Sequence, residues 1–446
     1  MHKAHIISYI QTPRLTYICD LIFGTYLGIE YHISSKIDQR SDVVNIRYGH
    51  RDTSENSFSI TASDLLYEKT ISEQDIQVHT KEGLVYLQFA NGKKSNLEGG
   101  KADMEVDIFA MGFYLISRYE EYLDTPKDQH GRYPSKESIA CQHDFIHLPI
   151  VDMWIDRFTQ MINKRYDADW SLRGSFYIQP TIDIDLPYAY NYKNWKKYAG
   201  IAKDIVKWNG ANQKARINNW TTGMDPFDTY DLIRKACAKC EKRPIIFLLN
   251  NYKKPYDENH IANTVHYANI IKKLEPWADI GVHPSMESNA NPEKLRDEFS
   301  WLQEQCTSKI VKSRQHFLQL KLPVTYQRLI SIGITDDYSM MYPDQPGYRA
   351  STSRAYQWYD LSKEESTTLI IHPCMTMDVT MRYYKNYKPE EAITVGQSLI
   401  EQSKSVKGTF MYIWHNSTLS ETYGWGPWKK VFLSLIKDYK TTHGDT

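Results

Sequence analysis

At 446 residues the chain is long enough for two or three domains, each with its own core, which excludes a small stapled scaffold. Its 54 Lys and Arg balance 54 Asp and Glu, so no strong field for nucleic acid or anionic lipid is expected. The six cysteines are scattered, which excludes a dense disulfide framework and predicts reduced thiols.

The opening stretch, "MHKAHIISYIQTPRLTYICDLIFGTYLG", is apolar but broken by His5, Gln11, Pro13, Arg14 and Asp20, so it lacks a signal-peptide core. No later run approaches the roughly 20 apolar residues of a membrane span, and the reading is a soluble, cytoplasmic protein. The short runs "YICDLIF", "VVNIRYG", "FSITA" and "LVYLQFA" alternate as strands do. The pattern turns helical in "DIFAMGFYLISRYEEYL", where Ile108, Met111, Leu115 and Tyr119 share one face. Glu120 and Glu121 then read as an exposed helix face rather than an acidic site. Residues 1–170 are expected to form a smaller α+β domain, ending at a composition shift near "RYDADWSLRGS".

Residues 171–446 alternate apolar strands with amphipathic helices, the order of βα units. Strands are predicted in "SFYIQPTID", "PIIFLLN", "ADIGVH", "IVKSRQHF", "GITD", "TTLIIHP" and "TFMYIWH". Helices are predicted in "NPEKLRDEFSWLQEQC", with Asn291 as N-cap and Pro292 at the first helical position, and in "KPEEAITVGQSLIEQSKS". About seven such units would close, or nearly close, a distorted (β/α) barrel. The lone "CAKC", Cys237 and Cys240, completes no zinc site and reads as packing.

In such barrels the site forms where the strands end. Those ends are polar: Asp183 and Asp185, Asn250 and Asn251, His283, Arg314 and His316, Asp336 and Asp337, His372, and His415 with Asn416. Residues two apart on a strand share a face, so Asp183 with Asp185, and Arg314 with His316, can each address one centre. Imidazole with carboxylate suits zinc or another borderline divalent ion. Taken singly, an aspartate pair in a turn is often a cap or Asx-turn, and a lone histidine a satisfied polar group. Their coincidence on one rim is what points to a site. Aromatic residues make up 13 %, with 33 Tyr and 11 Trp, and rings with an apolar face and a polar tip suit sugars as well as ordinary cores.

The motifs "TIDID", "IGVHPS", "SRQHFL", "GITDDYSM...GYRAST" and "YIWHN", spread over about residues 172–420, resemble the NodB-type polysaccharide deacetylases of carbohydrate esterase family 4. "DIFAMGFYLISRYEEYL...D.HGRY" and "LPIVDMWI" resemble the N-terminal domain of one branch of that family. The resemblance implies metal-dependent removal of an acetyl group from an N-acetylated sugar or glycan precursor by water that a divalent ion, zinc first, activates. It implies Asp183 as base, Asp185 and His283 as metal ligands, Arg314 orienting the base and His415 as acid. Two departures stand out. Ile184 separates the aspartates, so base and ligand could be exchanged, and Glu287 stands four residues after His283 where the family has a second histidine. The third ligand is then Glu287 or His316, of which the strand-end position favours His316; loss of the metal is the third possibility. Trp414, Tyr338, Tyr348 and Trp358 are candidates to stack on sugar or to fill the core. Competing readings are a hydrolase of the same fold acting on another amide or ester, and a carbohydrate-binding protein without metal.

Overall fold

The computed structural model describes residues 2–49, 57–90, 102–192 and 210–437. Near the N-terminus, β1 (Lys3–Ile7), β2 (Tyr31–Ser34), β3 (Val43–Tyr48) and β4 (Phe58–Ile60) form a parallel sheet in the order β2-β1-β3-β4. Strands β5 (Ile76–Lys81) and β6 (Leu84–Phe89) make a separate antiparallel hairpin that packs on the helices Ile108–Ile116 and Ile150–Tyr166. The run "YICDLIF", expected as a strand, is helical. Thr12 caps a helix over Pro13–Cys19 by accepting from the Leu15 N–H, and a wider turn continues it over Asp20–Leu27. The run is apolar almost throughout, so its period is undetermined, and Pro13 at the first helical position decides for the helix. A helix between β1 and β2 makes them parallel neighbours, so this sheet is built in the α/β manner rather than the expected α+β one.

The rest of the described chain is organised on one nine-stranded sheet. It begins with β7 (Tyr177–Ile184) and β8 (Ile245–Leu248). A small hairpin, β9 (Tyr252–Lys253) with β10 (Asp257–Glu258), lies in the loop after β8. The sheet continues with β11 (Asp279–Val282), β12 (Lys312–Ser313), β13 (Asp336–Asp337), β14 (Tyr356–Asp360), β15 (Glu365–Ile371), β16 (Thr376–Met377) and β17 (Thr409–His415). The order is β14-β15-β13-β12-β11-β8-β7-β17-β16, parallel except for β14. All seven strands expected from the sequence take part. Asn291 caps the helix Pro292–Gln305 through the N–H groups of Glu293 and Lys294, and the second expected helix spans Pro389–Ser405.

The expected barrel is not closed by strand pairing, because β14 pairs only with β15 and β16 only with β17. Yet the sheet must curl. Laid flat, β15 and β16 would lie seven strand spacings apart, roughly 34 Å. The chain passes from Ile371 to Thr376 in five residue steps, which reach at most about 18 Å. The strand ends are therefore gathered towards a common centre.

One apolar core runs from Ala4 to Ile436 across both sheets. Trp414, Tyr338, Tyr348 and Trp358 are buried in it, none more than 4 % exposed, which leaves them no open face to stack on a sugar. The helix Ile108–Ile116 is buried on every side. It ends at Arg118, whose left-handed backbone (φ 56°) turns the chain inward, so Glu120 and Glu121 are buried rather than exposed. Arg118 donates to Glu121 and to Glu120, both at 2.8 Å, and Arg349 donates to the two Glu121 oxygens at 2.9 and 2.6 Å. Burial opposes the Glu121 charge, but Arg349 and Arg118 outweigh it and hold its carboxyl down at about 2. Cys237 is buried in the core and Cys240 packs against it, as expected of packing residues.

Glu121→Ala should cost about 3–5 kcal/mol in denaturant unfolding, because it strands two buried guanidinium groups. Since the folded value of Glu121 lies below its ordinary one, its contribution is complete above about pH 4.5 and is lost as the pH falls towards about 2. The unfolding free energy of Glu121→Gln should accordingly respond less to pH in that window than that of the wild type.

Candidate metal centre

Four strand ends converge. Strand β7 carries Asp183 and releases Asp185 just beyond its last residue, His283 follows β11, Arg314 and His316 follow β12, and His415 closes β17. Asp185 is the focus. Its Oδ1 lies 3.2 Å from His283 Nε2, and its Oδ2 lies 3.5 Å from both His316 Nε2 and His415 Nε2. One ligand atom each from Asp185, His283 and His316 fall within 4.8 Å of one another, a triad compatible with a metal ion. Asp183 stands beside it, 3.8 Å from His283 Nε2 through Oδ2, while its Oδ1 accepts from Arg314 at 2.7 Å.

The orientation of each imidazole tests whether these residues fit an ion. His283 Nδ1 is 2.6 Å from the Arg314 carbonyl, His316 Nδ1 is 3.0 Å from Asp257 Oδ1, and His415 Nδ1 is 2.8 Å from Asp378 Oδ1. Each partner only accepts, so each Nδ1 carries the hydrogen and each Nε2 turns to Asp185. In a neutral imidazole that Nε2 is a lone pair. Lone pairs facing a carboxylate repel unless a cation lies between them, either a proton on each ring or one metal ion. Asp185 Oδ1 is moreover buried without an aligned donor. Ligating histidines characteristically donate their second ring N–H to a carboxylate or carbonyl, as all three rings do here. The donor set fits a borderline divalent ion such as zinc.

Without such an ion the charge is balanced by protons. Burial opposes the charged form of Asp185, but His316 and His415 pull its carboxyl well below the usual range. Burial likewise opposes the imidazolium forms, yet Asp185 raises His316 to about 9, and Asp378 followed by Asp185 raises His415 to about 10.

The centre lies in a pocket of about 150 Å³ lined by Asp183, Asp185, His283, His316, His415 and Arg132, among others. Taking about 30 Å³ per water, that is space for roughly five waters, enough for a small acyl group and its attachment. Other polar strand ends turn elsewhere. Asn250 bonds to Asn263, Asp336 pairs with His372 at 2.8 Å, and Asp337 accepts from Ser313 and Ser339. Glu287 is engaged by Lys253 at 2.6 Å and by Asn251 at 3.2 Å, away from the triad. Asp257, Asp378 and Arg132 were not found from the sequence: Asp257 opens the two-residue strand β10, Asp378 follows the two-residue strand β16, both too short to give a periodic signal, and Arg132 lies in a turn.

Elemental analysis should find about one equivalent of a divalent ion, lost in His283→Ala and His316→Ala and kept in Glu287→Ala. Because the folded value of His316 is raised, its proton stabilises the ion-free protein fully below its ordinary 6.5, an advantage lost as the pH rises past about 9. Ion uptake must displace that proton. Affinity should therefore fall about tenfold for each pH unit below 9, with proton release measurable in weakly buffered titrations.

Residues 4–167 match the model of a family of unknown function, DUF7033. No curated protein matches the chain. Among solved structures it is similar to a Mycobacterium smegmatis protein provisionally assigned as a polysaccharide deacetylase. That likeness has 11 % identity and a TM-score of 0.37, over 59 % of this chain and 84 % of that one. It is also similar to the 4-alpha-glucanotransferase of Thermococcus litoralis, at 11 % identity and a TM-score of 0.35, over 59 % of this chain and 37 % of that one. Likenesses at these scores carry no argument about this chain, and the reading of the site rests on its own geometry.

Proposed function

We propose that the chain is a metal-dependent hydrolase that removes the acetyl group from an N-acetylated sugar or glycan precursor. The observation that carries this reading is one carboxylate, Asp183, and one imidazole, His415, flanking the Asp185–His283–His316 triad in a single small pocket. When bound, a divalent ion, zinc by the donor set, supplies Lewis-acid polarisation of the acetyl carbonyl and lowers the pKa of water towards about 7. The remaining work falls to the chain.

Asp183 is the base. Arg314 occupies its Oδ1, so the free Oδ2 is the atom that takes the proton from attacking water. His415 is the acid. Asp378 holds its Nδ1–H, leaving Nε2 aimed into the pocket to deliver a proton to the departing nitrogen. Asp378, the largest of the causes that raise His415, favours the protonated ring, and an amine needs that proton to leave. The enclosed volume admits the acetyl group and part of one ring, and the rest of the sugar would lie at the rim beside Tyr384, which is 45 % exposed.

Acetate release from a panel of N-acetylated sugars tests the reading, with simple amides and esters as comparators. Asp183→Asn and His415→Ala should each lower kcat by about 10²–10⁴ with metal content unchanged. Full turnover in Asp183→Asn would move the base role to Asp185. Equal turnover of the simple amides would overturn the sugar assignment.

A further inference from the structure

The third wall of the pocket comes from far away in sequence. Asp128–Arg132, within the segment that matches the family of unknown function, forms a compact turn. The Asp128 N–H donates to the Arg132 carbonyl and the Gly131 N–H to the Asp128 carbonyl, both at 2.9 Å. Gly131 has φ 76°, where a glycine is favoured. One Asp128 oxygen accepts from the N–H groups of His130 and Arg132 at 2.8 and 2.9 Å, and the other accepts from Arg132 Nε at 2.7 Å. The guanidinium is thereby held rigid before it touches anything else.

It points at the carbonyl of Phe317, the residue after His316. Arg132 Nη1 donates to the Phe317 carbonyl at 2.7 Å and Nη2 to the Tyr384 hydroxyl at 3.3 Å. The Gln319 side chain returns a bond to the His130 carbonyl, and the His130 and Phe317 rings meet at 5.5 Å. Phe317 and Leu318 both have left-handed backbones, with φ 58° and 51°. Two successive residues with Cβ atoms in that region persist only where surrounding contacts impose them. The turn on the other side of the pocket supplies those contacts. Arg132, 3 % exposed, spends its charge there.

We propose that the N-terminal region completes the site: the Asp128–Arg132 turn clamps the strained turn after His316, with Arg132 as the positioning residue that fixes where His316 Nε2 points. This gives a role to a segment with no assigned one. It rests on the metal reading for one of its two readouts and not for the other.

The test compares Arg132→Gln with wild type and with Arg157→Gln, an exposed change in the same region. Cobalt(II) titration, followed by the visible absorption of the bound ion, reports the ligand geometry. Arg132→Gln should weaken cobalt binding about 10–100-fold and alter the spectrum, as loss of a supporting contact behind a ligand does, while Arg157→Gln leaves both unchanged. Hydrogen exchange of the ion-free protein gives the second readout. Amides 316–320 should exchange at least about tenfold faster in Arg132→Gln, with protection elsewhere kept. Unchanged exchange across 316–320 overturns the clamp whatever the metal result. A wild type that binds no cobalt, with faster exchange in Arg132→Gln, supports the clamp and overturns the metal reading instead. Equal cobalt affinity and spectrum in Arg132→Gln and wild type overturn the role of Arg132 in positioning His316.

Discussion

A single buried cation, Arg314, organises the site. Its guanidinium is out of contact with water and lies 4.4 Å from the centre of the Phe247 ring. It donates to Asp183, to the Thr181 hydroxyl at 2.8 Å and to the Tyr338 carbonyl at 3.0 Å. A buried charge is costly unless paired and hydrogen-bonded, so these contacts are obligatory. Arg314 thereby draws together the ends of β7, β8, β12 and β13. Its backbone carbonyl meanwhile holds His283 Nδ1, and His316 follows two residues later. One residue thus fixes the proposed base through its side chain and one proposed ligand through its main chain.

Around that hub the imidazoles obey a common rule: an acceptor behind each ring and Asp185 in front. The arrangement leaves only two electrically sensible states, one with protons between rings and carboxylate and one with a metal ion. The competition between them couples pH to ion binding. It also divides the histidines. His283 and His316 complete the triad with Asp185, while His415 is locked to Asp378 by two bonds, one from its backbone N–H at 3.0 Å and one at its ring. A ring anchored in this way is suited to moving a proton to and from one fixed point.

The N-terminal region is bound into this arrangement rather than appended to it. The apolar core is continuous, and Glu121 is chelated by Arg349 from the loop between β13 and β14. Arg14 similarly reaches Glu364 at 2.6 Å. These contacts bring the Asp128–Arg132 turn to the pocket at a fixed height. A short loop alone would not hold two left-handed residues beside His316; a second packed layer does.

The sequence by itself determined seven of the nine strands of the large sheet and the polar residues that end them. Apolar runs of strand length bounded by Asp, His and Arg are local features, and the two-residue period puts Asp183 with Asp185 and Arg314 with His316. The tertiary structure decided what depends on where the chain returns. His316 rather than Glu287 joins the triad because Lys253 and Asn251 draw Glu287 aside. The acceptors behind the rings lie 59 residues from His316 and 37 from His415, and the Arg132 contact to Phe317 spans 185. Burial of Glu120 and Glu121 follows from a turn at Arg118 and a partner, Arg349, that no helical period announces. Periodicity reports the face a residue presents; only the folded chain supplies the group that meets it.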